Sequence, residues 1–246
     1  MTYCVAIRLD TGLVMLADTR TNAGVDNVSR FQKMFTWEVR GERALCMMSA
    51  GNLSITQGVI TRLNADIKRA AAGEEIETIL SAATMYRVAE ITGAAMRQMQ
   101  DRYRDAIAAQ GAAADASILL AGQRAGGDHR LFMVYSPGNF IEATEDTPYL
   151  QIGEHKYGKP ILDRVIEPAT PLPRALKAAF VSMDSTLRSN LSVGMPLDLA
   201  VIETDALRFS IRRRIEPEDA EFGRISDLWS EALRHAFTSI PDVGQG

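Results

Sequence analysis

The sequence predicts an α+β fold, a four-layer α/β/β/α sandwich of two antiparallel sheets. Three observations predict it. Strand-like runs come in neighbouring pairs joined by tight turns, the pattern of antiparallel strands. Helical stretches fall in blocks between groups of strands instead of alternating with single strands, which argues against a parallel, doubly wound sheet. Each helical stretch has one apolar and one polar face, so each needs a sheet to cover. The chain has 246 residues, 46% hydrophobic and 24% charged, which is enough for one large core. No Pro/Gly/Ser linker or composition break divides it. Residues 1–246 are therefore expected to form one domain, with residues 241–246 as a frayed tail.

Taken in order, Tyr3–Leu9 is a strand, Asp10-Thr11-Gly12 a turn and Leu13–Ala17 the return strand. Asp18–Arg30 is polar and is expected to be loop. Phe31–Val39 and Ala44–Ser49 make a second hairpin around Arg40-Gly41-Glu42-Arg43. The period then changes: Ile55, Val59, Leu63 and Ile67 recur every four residues, one face of a helix that ends near Ala71-Ala72-Gly73. Glu75–Ala108 is expected to be a longer helix, interrupted by Gly93 at a cost of about 1 kcal/mol relative to Ala. Ala116–Gly122 and Leu131–Tyr135 form a hairpin, and Phe140–Ala143 follows the Ser136-Pro137-Gly138-Asn139 turn. A helix follows Pro171 and Pro173, with Leu176, Phe180, Met183 and Leu187 on one face. Leu197–Glu203 and Phe209–Ile215 are strands, and Glu216–Phe237 closes the chain as a polar helix.

Composition excludes several functions. A formal net charge of -4 gives no electrostatic attraction to nucleic acid or to an anionic membrane. Cys4 and Cys46 are the two cysteines; each lies in an apolar strand-like run, so they suit small buried hydrophobes better than a disulfide framework. The N-terminus has no basic region followed by a long apolar one, and no stretch approaches the roughly 20 apolar residues that span a bilayer. A cytoplasmic protein is expected. There is no phosphate-binding Gly-rich loop, HExxH or paired CxxC. His129, His155 and His235 are scattered, and no Gly-x-Ser-x-Gly elbow supports a Ser-His-Asp triad. No metal or cofactor is expected. Arg212-Arg213-Arg214 lies in an alternating strand, where a solvated face is the simpler explanation than phosphate binding.

The start of the chain carries the chemistry. Thr2 directly precedes a strand. After it come Gly12, then Ala17-Asp18-Thr19-Arg20-Thr21, then Lys33, then Ser49-Ala50-Gly51-Asn52. This order resembles the proteasome β-subunit family of N-terminal nucleophile hydrolases, which open with a mature Thr, a strand, a Gly turn, an Ala-Asp-x-Arg segment and a Lys on the next hairpin. Within that family the wording is most similar to the Anbu branch, and Gln151–Pro160 and Leu191–Leu199 agree. The resemblance covers most of the chain, and its joint order and spacing carry it, because no single short motif is specific.

The resemblance implies a threonine-type hydrolase of peptide or amide bonds. Thr2 would be the nucleophile and its own α-amine the base, since such an amine has an ordinary pKa near 8. Thr2 is small enough for an aminopeptidase to remove Met1 before it; with Met1 attached, Thr2 has no adjacent free amine. Lys33 would supply a positive charge, Asp18 would hold Lys33, and the Gly51 N–H would stabilise the oxyanion. Arg20, Glu154 and Ser192 would stand in the layer behind them. Read without the resemblance, Asp18 is equally a turn residue, Lys33 a solvated strand lysine, Gly51 a turn glycine and Thr2 an inert terminus. Two departures stand out. The family places a Ser-Gly where this chain has Gly153-Glu154, and its Asp-x-x-Ser-Gly is replaced by Ser189-Asn190-Leu191-Ser192-Val193-Gly194. Glu154 near the amine would favour its ammonium form. A catalytically weak scaffold subunit and a small-amide amidohydrolase are therefore the alternative readings. The resemblance also implies self-assembly, an open ring or helical arrangement ahead of a closed ring, with peptide or unfolded protein as substrate and accessory proteins as possible partners.

Overall fold

The computed structural model describes residues 2–22 and 28–244. Met1, on which the free amine of Thr2 depends, the 23–27 part of the polar loop and the last two residues of the expected tail lie outside them.

In chain order the strands are β1 (Tyr3–Leu9), β2 (Gly12–Asp18), β3 (Arg20–Asn22), β4 (Val28–Arg30), β5 (Met34–Val39) and β6 (Arg43–Gly51). The helices α1 (Leu53–Ala71) and α2 (Met85–Ala109) follow, then β7 (Ala116–Arg124), β8 (Arg130–Val134), β9 (Phe140–Glu142) and β10 (Tyr149–Gly153). The remainder is α3 (Lys159–Val165), α4 (Leu172–Ser189), β11 (Leu197–Glu203), β12 (Ile211–Ile215) and α5 (Ala220–Ser239). One five-stranded sheet has the order β10-β1-β2-β11-β12 and the other β5-β6-β7-β8-β9; β3 and β4 pair on their own. The pairings within them are antiparallel.

The inner strands β1, β2, β6 and β7 are buried on both faces, and alternation decides which layer each side chain joins. Along β1 and β2, Tyr3, Val5, Ile7, Val14 and Leu16 pack with Ala175, Phe180 and Met183 of α4. The intervening Cys4, Ala6, Met15 and Ala17 meet Cys46, Met48, Leu119 and Ala121 of the other sheet. That sheet turns Leu45, Met47, Ile118 and Leu120 outward to Ile55, Val59, Val88 and Met96 of α1 and α2. Helix, sheet, sheet, helix is the four-layer sandwich that the sequence predicts. Among the described residues no helix is long and apolar enough to cross a membrane.

Local differences from the expectation have local causes. Glu75–Ala108 is helical only from Met85. The Thr78 hydroxyl accepts from Leu80 N–H and the Ser81 hydroxyl from Thr78 N–H, a competing local turn. The buried Arg43 fixes that turn by donating to the carbonyls of Ile79 and Ala82, both at 3.1 Å. Thr84 then caps the helix, its hydroxyl accepting from Arg87 N–H at 3.0 Å. Gly93 is tolerated because a Cβ there would lie 2.1 Å from the Gly138 carbonyl oxygen, so the helix approaches the β8–β9 turn closely. The predicted strand from Phe31 begins at Met34, since Phe31 N–H turns aside to Thr19 O at 2.9 Å. The polar stretch after Asp18, expected to be loop, contains the β3–β4 pair. β10 and α3 are short elements that the sequence does not announce.

Candidate active site

The site gathers where the first residues of β1 meet the end of β2, the start of β5 and the end of β6. Asp18, last residue of β2, is fully buried. Its Oδ1 accepts from the Lys33 ammonium at 2.6 Å and from Tyr3 N–H at 3.0 Å. Its Oδ2 accepts from Arg20 N–H at 3.1 Å and Gly194 N–H at 3.2 Å. Burial pushes the Asp18 carboxyl up; the Lys33 ammonium and the N–H groups of Tyr3 and Gly194 pull it back. All four of these contacts donate to Asp18, so the charged carboxylate is the form that this geometry satisfies.

Lys33, itself only 3% exposed, also donates to the Arg20 carbonyl at 2.6 Å. That second bond aims the ammonium between β2 and β3. Lys33 comes just before β5, and its carbonyl accepts from Ser49 N–H at 3.0 Å, which ties it to β6. Two residues on, the N–H of Gly51 points to the same side by strand alternation. The β5 ladder ends at the Met34–Met48 pair, so the Gly51 N–H faces the mouth of the site beyond it. Gly51 has φ +100°, and a Cβ there would lie 2.2 Å from the Asp115 carbonyl oxygen. Only glycine fits where β6 hands over to α1, whose Asn52 cap accepts from Ser54 N–H at 3.1 Å.

Thr2 is 8% exposed and sits one residue before β1. Its carbonyl accepts from Glu154 N–H at 2.6 Å. Gly153, at φ +82°, makes that approach possible, since a Cβ there would lie 1.9 Å from the Thr2 oxygen. The Glu154 carboxylate accepts from the Asn190 side-chain amide at 3.1 Å, and the Asn190 Oδ1 accepts from Ser192 N–H at 2.9 Å. Arg20 donates to Leu191 O at 2.8 Å and packs so tightly on Gly194 that a Cβ there would lie 2.2 Å from the guanidinium. Thus Thr2, Asp18, Arg20, Lys33, Glu154 and Ser192 are brought together, with Gly51 on the adjoining strand end. Among the described residues no cluster of three or more His, Cys, Asp or Glu could hold a metal ion.

Sequence reasoning passed over Tyr3, Asn190 and Gly194. Tyr3 fixes the start of β1 twice, by its N–H to Asp18 and by its hydroxyl to Ser182 Oγ at 2.6 Å. Asn190 links Glu154 to Ser192, and its signal was its place in the segment that departs from the family pattern. His129 is buried, its Nε2 2.6 Å from Leu9 O, and serves the sandwich rather than the site.

No family model matches the chain, and no curated protein does. Solved structures do. An Anbu (Gly-1) mutant from Hyphomicrobium sp. strain MC1 is 46% identical, with a TM-score of 0.90, over 98% of this chain and 99% of that one. Anbu from Yersinia bercovieri, described as an ancestral beta-subunit, is 43% identical with a TM-score of 0.90, over 99% of this chain and 100% of that one. The chain belongs to the Anbu family. A third Anbu structure, from Pseudomonas aeruginosa, is 42% identical with a TM-score of 0.91, over 99% of this chain and 98% of that one. It is a helical assembly of the Anbu complex. The agreement extends over nearly the whole of each chain.

Proposed function

We propose that the chain is a threonine-type N-terminal nucleophile hydrolase of peptide or amide bonds, working in the cytoplasm as a self-assembling subunit. The observation that carries this reading is the buried Lys33–Asp18 pair bonded to Tyr3 N–H, one residue from Thr2. Once Met1 is removed, the Thr2 amine takes the hydroxyl proton as Oγ1 attacks the substrate carbonyl. The Lys33 charge disfavours a second positive charge beside it, which keeps the amine basic in its neutral form. The oxyanion that forms is met by the Gly51 N–H. Collapse breaks the C–N bond, the amine returns its proton to the leaving nitrogen, and an ester on Thr2 remains. Water, deprotonated by the same amine, hydrolyses the ester. The Pseudomonas aeruginosa helical assembly supports self-association of this chain, and the proposal puts the nucleophiles in an enclosed space within such an assembly. Peptides and unfolded polypeptide are then the substrates.

The test is Thr2→Ala. It abolishes hydrolysis of peptide substrates while circular dichroism and sedimentation stay those of the parent. Cleavage at the parent rate overturns the assignment. A catalytically weak scaffold subunit is the second reading. It is favoured by Glu154, whose carboxylate lies where the family has a serine. Retention of Met1 in the intact mass of the purified assembly, with no turnover, selects it. Turnover of small amides without turnover of peptides selects an amidohydrolase instead.

A further inference from the structure

Away from the site, α4 and α5 meet through the edge-to-face rings of Phe180 and Phe222, 5.6 Å apart, and through Ser226 donating to Asp184 at 2.7 Å. Beside this contact a wedge of about 810 Å³ opens between α3, α4 and α5. Its size is that of a small-molecule site. Ile161 and Val165 of α3, Val181 of α4 and Ile225 and Leu228 of α5 give it apolar walls. Its rim is cationic: Arg164, Arg174 and Lys177 line it, against the single carboxylate of Glu167. Arg174 and Lys177 stand three apart on one face of α4, close enough to share one anion. Neither makes an ion pair among the described residues, whereas Arg188, in the last turn of α4, pairs with Asp184. Trp229 also lines the wedge, and its indole N–H is shut off from solvent with no acceptor. A buried donor in that state is uncommon and is satisfied when an oxygen is brought to it.

We propose that this wedge binds an amphipathic carboxylate, an unbranched apolar chain with one anionic end. The chain fills the aliphatic walls, the carboxylate sits between Arg174 and Lys177, and Trp229 reports its arrival. This goes beyond the hydrolase reading and does not depend on it.

Dodecanoate, titrated into the intact protein below its micelle concentration, is the probe. Trp229 and Trp37 are the two tryptophans. Trp37 lies on the other sheet, its indole N–H held by Asn64 at 2.9 Å, so it serves as a silent background. The expected result is a saturable fluorescence change, lost in Trp229→Phe, with calorimetry still detecting binding in that variant. Arg174→Ala/Lys177→Ala weakens binding by about tenfold or more, as does replacing dodecanoate with the neutral dodecanol. No saturable response, or equal affinity in the double variant, overturns the proposal. If that variant instead loses self-association and dodecanoate never binds, the wedge is a contact between copies and the proposal is likewise overturned.

Discussion

Two regions of the molecule set carboxylates against cations, and they do so under opposite conditions. At the seam, Asp18 and Lys33 have side chains 0% and 4% exposed. On the edge strand β12, Arg213 pairs with Asp219 and Glu221, and Arg214 with Asp198, with the arginines 37% and 47% exposed. An exposed pair contributes about 0–1 kcal/mol and tolerates change. A buried pair gains little net stability, because desolvation offsets its attraction, yet breaking it leaves a lone charge in the core. Stability alone is therefore a weak reason for a charged pair at the seam. In the proposed function the seam pair serves the chemistry of Thr2; the edge pairs keep an outer strand solvated.

The largest effect expected is at the seam. Lys33→Ala lowers hydrolysis about 10²–10³-fold. It also costs about 3–5 kcal/mol in denaturant unfolding, because Asp18 is left unpaired. If stability falls but turnover does not, the pair is structural only. Next, Asp18→Ala also lowers turnover, and the Asp18→Ala/Lys33→Ala double variant is no slower than the worse single one, because the two act as a unit. Rates that multiply break that unit. Gly51→Ala, with its strained φ and its clash on Asp115, costs about 1–3 kcal/mol and slows hydrolysis by displacing the N–H. Smallest of all, Arg214→Ala changes unfolding by at most about 1 kcal/mol and leaves turnover at the parent value. A larger loss would mean that the edge pairs carry more than solvation.

The contrast also explains what was legible beforehand. Apolar runs and turn signals made much of the sandwich readable: β1, β2, β6 and β7 lie within two residues of the expected bounds, and the four-residue beat of α1 faces the core. They failed where side chains outside the element decide. The turn at Thr78–Ser81 is held by Arg43, distant in sequence, and β10 exists because β1 offers it a partner, from Tyr3–Gly153 to Ile7–Tyr149. Thr2, Asp18, Lys33 and Gly51 stood in the sequence as an ordered set of types, and the resemblance implied the Asp18–Lys33 pair, but the other bonds of the cluster were not legible. Spacing gives no hint that Gly194 donates to Asp18, or that Asn190 bridges Glu154 and Ser192. Those contacts arise when the turn before β11 folds back over Arg20, a long-range event without a local pattern.

The central claim is that Thr2 acts with its own amine beside a buried Lys33–Asp18 pair. The most direct measurement is the intact mass of the assembly after incubation with a peptide epoxyketone, which bonds a hydroxyl and an adjacent free amine together, followed by peptide mapping. The expected result is a chain lacking Met1 and carrying one adduct, located on Thr2, with none on Thr2→Ala and slowed labelling of Lys33→Ala. A processed chain that stays unlabelled, or an adduct on any other residue, contradicts it.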